Sequence, residues 1–314
     1  MEVKTWTYED FPAFDEAIGD VEVLTTDGDQ ILAKYIPDVE YAVVDGIPLH
    51  LQILVPESRN LKIMKEEHRD KDLRWPCVVF TQGSAWMKQD VYAKIPSVAN
   101  LCERGYVCAI VEYRHSGQAA FPAQIEDALN AIRFMKVHAD DYHIDVNRMI
   151  SAGDSSGGHT AMFTGILNTD DTRANLFPGV SADVKGIINY YGSCSVMADD
   201  SNPMTVTHCL PESPEGMVMG RTNLREREDL RRALSVECNI DEDTNIPPVL
   251  IFHGTKDRTV NTTCSTILYR ALKECGKDVT LYLLDGADHG GPEFWSEAVI
   301  DLADKFMKRV FENA

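Results

Sequence analysis

The 314-residue chain has no apolar run of the roughly eighteen residues that a membrane-crossing helix needs, so no transmembrane span is expected. Its first ten residues, Met1 to Asp10, lack both the basic and the apolar region of a secretory signal. Basic residues are in short supply: 30 Lys and Arg stand against 50 Asp and Glu, for a net charge of −20. A nucleic-acid backbone or an anionic membrane surface would repel such a chain, and neither is an expected partner. The eight cysteines, at 77, 102, 108, 194, 209, 238, 264 and 275, include no C-x-x-C pair and no metal-ligand spacing. No metal and no cofactor are expected, and free thiols in a reducing compartment, the cytoplasm, are the expectation. Internal repeats and low-complexity tracts are also missing, which excludes solenoid architectures. What remains is ordinary for a globular protein, 44% apolar and 25% charged, and the length suits one large α/β domain or one domain with an insertion. Nothing in it signals an oligomeric state.

One pentapeptide organises the rest. Gly153-Asp154-Ser155-Ser156-Gly157 has the G-x-S-x-G form of a nucleophile elbow, a sharp strand-to-helix turn that presents a serine hydroxyl at the edge of a parallel sheet. The pattern alone is common. Its setting makes it specific: Arg148 to Ala152 before it suits a buried parallel strand, and Gly157 to Leu167 after it is apolar nearly all round, as a helix buried in a domain should be. Glycines on both sides of the serine leave room where strand and helix pass closely.

Around this turn the sequence predicts alternating strands and helices. Residues 41–44 and 49–55, joined by Asp45-Gly46 and closed by Pro56, read as an antiparallel hairpin, and the charged residues 57–75 as a solvated connection. Strands follow at 77–81, 107–111, 184–190, 249–252 and 279–284, and helices at 92–104, 123–138, 262–275 and 294–311. The alternation implies an α/β fold with a mostly parallel central sheet covered by helices on both faces. Residues 1–40 are expected to be an N-terminal extension packing on the core. Residues 41–191 and 247–314 form that core. Residues 192–246, with Pro203, Pro211, Pro214 and a charged helix-like run from Leu224 to Leu234, break the rhythm and are expected to cap the site.

A serine hydroxyl is too weak an acid to attack a carbonyl unaided; it needs an imidazole to take its proton and a carboxylate to orient that imidazole. In this architecture the partners follow in the order Ser, acid, His, each in a loop after a later strand. Asp257 leaves the strand 249–252 and His289 leaves the strand 279–284, which assigns Ser155, Asp257 and His289 to nucleophile, acid and base. Asp285 and Asp288 share the loop of His289 and reach its ring less easily than Asp257 does. His253 and His159 read as hydrogen-bonded structural histidines, and His138 and His143 as surface residues. The oxyanion hole is expected from the backbone N–H of Ser156 and from the loop Gln82-Gly83-Ser84-Ala85-Trp86, with Gly83, Ser84 or Ala85 as the second donor and Trp86 as a candidate substrate contact.

In this order the motifs resemble the α/β-hydrolase superfamily, and within it the hormone-sensitive-lipase-like and acetyl/feruloyl esterase group. They are Tyr41…Asp45-Gly46…Leu49…Pro56, Glu112-Tyr113-Arg114, Phe121-Pro122-Ala123…Glu126-Asp127, Gly153 to His159, His253-Gly254…Asp257 and His289-Gly290, which together cover residues 41 to 311. The resemblance implies an α/β-hydrolase fold with a cap-like insertion. It also implies a serine carboxylesterase that acts through an acyl-enzyme on short or aromatic acyl esters, such as acetyl or feruloyl groups on a small-molecule or carbohydrate substrate. It makes Arg114 and Asp127 structural residues of the core. The chain departs from the group's His-Gly-Gly-Gly/Ala-Trp loop, with Gln82 in place of the His and Ser84 in place of a Gly, and Ser156 stands where relatives often carry Ala. An arylformamidase-like amidase and a prolyl-oligopeptidase-like peptidase share the triad, although 314 residues leave no room for the accessory domain that usually accompanies the latter. A hydrolase-fold binding protein without catalysis is the reading from a different class.

Overall fold

The computed structural model describes residues 3–7, 9–26, 28, 30–58, 73–167, 175–197 and 207–312. Eight strands form one sheet: β1 (Ile31–Val44), β2 (Ile47–Ser58), β3 (Trp75–Thr81), β4 (Val107–Val111), β5 (Ile144–Asp154), β6 (Gly186–Tyr190), β7 (Val249–Gly254) and β8 (Val279–Leu284). Their spatial order is β1-β2-β4-β3-β5-β6-β7-β8. β1, β2 and β4 pair antiparallel, while the strands from β4 through β3 to β8 pair parallel.

The short parallel strands are mostly apolar because both faces of the sheet are covered, most fully in β4, where all five residues are buried. Cys77 and Val79 of β3 join one core cluster, and Val78 and Phe80 join the other. Side chains alternate across a strand, so a run such as Val-Cys-Ala-Ile-Val in β4 supplies both layers at once. On the first face lie α2 (Ala123–Val137), α3 (Ser156–Ile166) and α6 (Thr263–Glu274), and on the second lie α1 (Ile95–Cys102) and α7 (Glu297–Glu312). Helices therefore flank both faces, as the alternation predicts, and the fold is that of an α/β-hydrolase.

Several boundaries differ from the sequence reading. β1 begins at Ile31, ten residues before the predicted strand start at Tyr41, and pairs with β2 along nearly its whole length. Its outer half alternates exposed and half-buried side chains with no apolar run to mark it. Pro56 lies inside β2, opposite Ala33, instead of ending it. β4 reaches only Leu51 to Leu54 of that strand, so beyond them the proline has an open flank where a missing N–H costs nothing. The helix predicted from residue 92 starts at Ile95, with Pro96 in its first turn, where a missing N–H is tolerated. Residues 3–7 and 9–26 form no helix or strand and their side chains are exposed. Residues 59–72 of the predicted connection lie outside the described residues.

Between β6 and β7 the described residues form two short helices, α4 (Pro214–Val218) and α5 (Glu228–Leu234), and a 3₁₀ turn at Val236–Asn239. Only the second half of the charged run 224–234 is helical. Val196, Cys209, Val218, Leu224 and Leu234 from this segment close a small apolar cluster around Trp86. Residues 198–206 of the expected cap lie outside the described residues.

Candidate active site

β5 ends at Asp154 and α3 begins at Ser156, so the whole strand-to-helix reversal falls on Ser155. Its φ of 52° and ψ of −125° lie where side chains are rarely accommodated, the strained geometry that lifts a nucleophile's hydroxyl clear of the sheet. The glycine after it is obligatory. A Cβ on Gly157 would overlap the carbonyl of Thr81, at the end of the neighbouring strand β3.

The loops after β7 and β8 bring the other two residues to the serine. His289 Nε2 lies 2.9 Å from Ser155 Oγ, and His289 Nδ1 lies 2.7 Å from Asp257 Oδ2. A carboxylate can only accept, so Nδ1 carries the ring proton and the lone pair of Nε2 faces the serine hydroxyl. The other oxygen of Asp257 accepts the N–H groups of Thr259 (2.9 Å) and Val260 (2.8 Å). Burial alone would raise this carboxyl. Hydrogen bonds from His253 and His289, with the rings behind them, outweigh burial and hold it well below the usual carboxylate range. The acid therefore stays ionised throughout the neutral range.

His253 is structural, as expected, yet it touches the acid directly. Its Nε2 donates to Val260 O at 2.9 Å and lies 3.1 Å from Asp257 Oδ2, while its Nδ1 faces Ser265 Oγ at 2.7 Å. His159 is buried in α3 and donates to Leu234 O at 2.8 Å. Burial lowers it to about 4, so the ring is neutral. His138 pairs with Asp141 at the surface. Asp288 is taken by Arg258 and by the N–H of His289, which leaves Asp257 as the carboxylate on the ring. Arg114 and Asp127 form a buried ion pair at 2.9 Å, the core role that the resemblance implies.

The loop after β3 passes so close to the nucleophile that a Cβ on Gly83 would lie 2.8 Å from that of Ser155. Ala85 and Trp86 both have positive φ, 55° and 53°, which turns successive N–H groups inward. Gly83 is not an available oxyanion donor, because its N–H is already given to Asp154 Oδ1 at 2.7 Å. Ser84 N–H and Trp86 N–H converge on Ser156 Oγ, at 3.0 and 3.2 Å. Ala85 N–H has no protein acceptor among the described residues, and Ser156 N–H, in the first turn of α3, has no intrahelical one. Trp86 is not positioned as a substrate contact either: its ring is 1% exposed and sits edge-on to His159.

Sequence reasoning passed over a second set of residues. Asp154, the variable residue before the nucleophile, accepts from Gly83, from Tyr191 O–H (3.1 Å) and from Lys94 (3.0 Å). The Tyr191 ring in turn lies edge-on to His289, 4.9 Å between centroids. One buried carboxylate thus links the strand before Ser155, the loop 83–86 and, through Tyr191, the ring of His289. The only hint in the sequence is an acidic residue in an apolar strand end. Ser156 Oγ is a second organiser, and there the sequence hint is the departure from Ala.

Six cysteine thiols, at 77, 102, 108, 194, 209 and 264, are buried in the two layers or beside them. Burial pushes Cys102 and Cys264 up to about 12, which makes them unreactive. No helix among the described residues is long and apolar enough to cross a membrane.

Compared with known proteins, residues 61–272 match the model of the BD-FAE family. The chain is similar to the esterase LipC of Mycobacterium tuberculosis, with 28% identity over 218 residues, 68% of this chain and 53% of LipC. It is also similar to a probable isoprenylcysteine alpha-carbonyl methylesterase of Arabidopsis thaliana, with 25% identity over 68% of this chain and 45% of that protein. The chain spans about half the length of these curated relatives. Among solved structures, a truncated carbohydrate esterase from gut microbiota superposes with a TM-score of 0.74, at 23% identity over 90% of this chain and 98% of that one. Esterase Est2 of Thermogutta terrifontis, with butyrate bound, superposes with a TM-score of 0.67, at 23% identity over 88% and 94%.

Proposed function

The chain belongs to the BD-FAE family, and from that premise we propose that it is a serine carboxylesterase working through an acyl-enzyme. The observation that carries the proposal is the ring of His289 set between Ser155 Oγ and Asp257 Oδ2, within hydrogen-bond reach of both. In this reading Nε2 of His289 takes the proton of Ser155 as Oγ attacks the ester carbonyl. Asp257, ionised, holds the ring's tautomer and stabilises the imidazolium that forms. The oxyanion of the tetrahedral intermediate lies against the N–H groups of Ser156 and Ala85, and the N–H of Ser84 is held nearby on Ser156 Oγ. His289 then gives its proton to the leaving alcohol, and water, activated by the same ring, releases the acyl group.

The substrate class proposed is a short or aromatic acyl ester, with acetyl or feruloyl groups on carbohydrate as the leading members. Support comes from the family match and from the likeness of the fold to a carbohydrate esterase. The experiment is hydrolysis of p-nitrophenyl acetate to octanoate, acetylated xylo-oligosaccharide and methyl ferulate by the wild type and by Ser155→Ala. Cleavage of the sugar ester or the ferulate by the wild type alone supports both mechanism and substrate class. Cleavage of aryl esters alone supports the mechanism and rejects the carbohydrate class. Activity retained in Ser155→Ala rejects the mechanism.

A further inference from the structure

One buried charged cluster takes no part in the chemistry above. Glu215, in the first turn of α4, is 1% exposed. Its Oε1 accepts Ser193 Oγ–H at 3.0 Å and lies 2.8 Å from Nδ1 of His208, while its Oε2 meets no donor among the described residues. The other nitrogen of His208, Nε2, lies 3.1 Å from the carbonyl of Thr259. A carboxylate and a carbonyl can only accept, so hydrogen is needed on both sides of the ring. The pair therefore holds one proton more than a neutral imidazole beside a bare carboxylate, held across the 2.8 Å contact between Nδ1 and Oε1.

Both ends of this pair run into the catalytic machinery. Ser193, which donates to Glu215, gives its N–H to the carbonyl of Ser155 at 3.3 Å. Thr259, which receives from His208, gives its N–H to Asp257 Oδ1 at 2.9 Å. The bridge thus runs from the nucleophile through Ser193, Glu215, His208 and Thr259 to the acid. Its centre lies in the segment between β6 and β7, outside the sheet that carries the triad.

We propose that His208 and Glu215 are positioning residues, a proton-held clasp that fixes the loop of the catalytic acid relative to the nucleophile. The proposal rests on the triad reading above. While the ring keeps both protons the clasp is closed. When rising pH removes one, Nδ1 or Nε2 turns a lone pair toward an acceptor and one end of the bridge opens, so the loop whose Thr259 N–H holds Asp257 is no longer fixed to the nucleophile through this pair. The expected fall in kcat at alkaline pH belongs to the clasp and not to His289, which must be neutral to act as base.

Other titratable groups near the clasp, among the described residues, have their own partners or environments. His159 on α3, within the field of Glu215, is neutral above about 4, and Cys264 on α6 is a thiol up to about 12. Glu237 on the 3₁₀ turn is hydrogen-bonded to Ser195 and raised by burial. Asp257, on the acid's own loop, is flanked by His253 and His289. Neither His159 nor Cys264 changes charge in the neutral to mildly alkaline range.

The test is kcat and KM against pH, on p-nitrophenyl acetate with background subtracted, for wild type, His208→Gln, Glu215→Gln and Ser155→Ala. Wild type is expected to lose kcat on the alkaline side. His208→Gln, whose amide has no proton to lose in this range, is expected to lower kcat by about tenfold with KM within about twofold and to flatten that limb. Glu215→Gln, which removes the counter-ion, is expected to move the limb to lower pH. A wild type whose kcat does not fall at alkaline pH overturns the clasp even if neither variant folds, as does a His208→Gln enzyme with the wild-type profile. Activity in Ser155→Ala sinks the triad reading instead, whatever His208 does.

Discussion

At the scale of single residues, the site depends on hydrogen bonds that leave no choice of direction. Gly83 has one N–H and Asp154 claims it, so the carboxylate decides where the oxyanion loop sits. Asp154→Asn must turn its carbonyl to Gly83 and its NH₂ to Lys94 and Tyr191, which leaves the Lys94 ammonium without its partner. A hydrogen bond to a charged group is worth about 1.5–3 kcal/mol, so kcat is expected to fall by at least tenfold with little change in KM. Pairing the substitution with Lys94→Met should restore part of it. Steady-state kinetics of the two single variants and the double variant check this, and strict additivity would argue against the link. His159 supplies a pH prediction of opposite character. Burial lowers it from 6.5 to about 4. Between those values the unfolded chain binds a proton that the folded chain does not, so stability rises with pH across the window and falls on acidification. The loss amounts to about 3 kcal/mol at most by pH 4. Thermal denaturation from pH 7 to 4.5 should show a shallower slope for His159→Leu than for wild type, because the leucine removes the titrating ring.

At the scale of elements, the parallel strands are written plainly in the sequence because the inner ones are buried on both faces and all of them are mostly apolar. That is why β3, β4, β7 and β8 lie where the apolar runs place them. β1 escaped because an edge strand beside antiparallel β2 needs neither an apolar run nor clean alternation, only free N–H and C=O groups. The proposed triad could be picked out for a different reason: its three residues follow strand ends, and strand ends were readable. The oxyanion donors were not, since Gly83, Ser84 and Ala85 are distinguished only by which side chain, Asp154 or Ser156, reaches each N–H in space. The same contrast sets the cost of changing a helix. α7 holds the second face through Val299, Ile300, Ala303, Phe306, Met307 and Val310 at helical spacing. Phe306 fills the space that the absent side chain of Gly186 leaves in β6, where a Cβ would sit 3.0 Å from its ring. Phe306→Ala is therefore expected to cost about 3–5 kcal/mol, read as a shift of the denaturant midpoint with an unchanged slope. A loss under about 1 kcal/mol would mean that the layer collapses around the gap and that α7 is less firmly seated than its burial implies.

At the scale of the whole molecule, the dominant quantity is the charge of −20 on 314 residues. Substrate must approach the mouth of the site through that field. A neutral acetyl or feruloyl ester feels little of it, whereas an ester that also carries a carboxylate, as on an acidic polysaccharide, is repelled before it binds. Salt shortens the reach of the field, from about 30 Å at 0.01 M to about 10 Å at 0.1 M, and so should help only the charged substrate. With a matched pair of p-nitrophenyl esters, acetate and hydrogen succinate, kcat/KM for the succinate is expected to rise several-fold between these ionic strengths while the acetate stays within about 1.5-fold. Salt that acts on both esters alike would place its effect in the enzyme and not in the encounter. A succinate rate that falls with salt would mean that a local cation overrides the global charge. Lys94, 22% exposed and bound to Asp154 next to Ser155, is the cation to test in that event, because its ammonium sits on the carboxylate adjoining that serine. Lys94→Met should then restore a succinate rate that rises with salt and leave the acetate as it was.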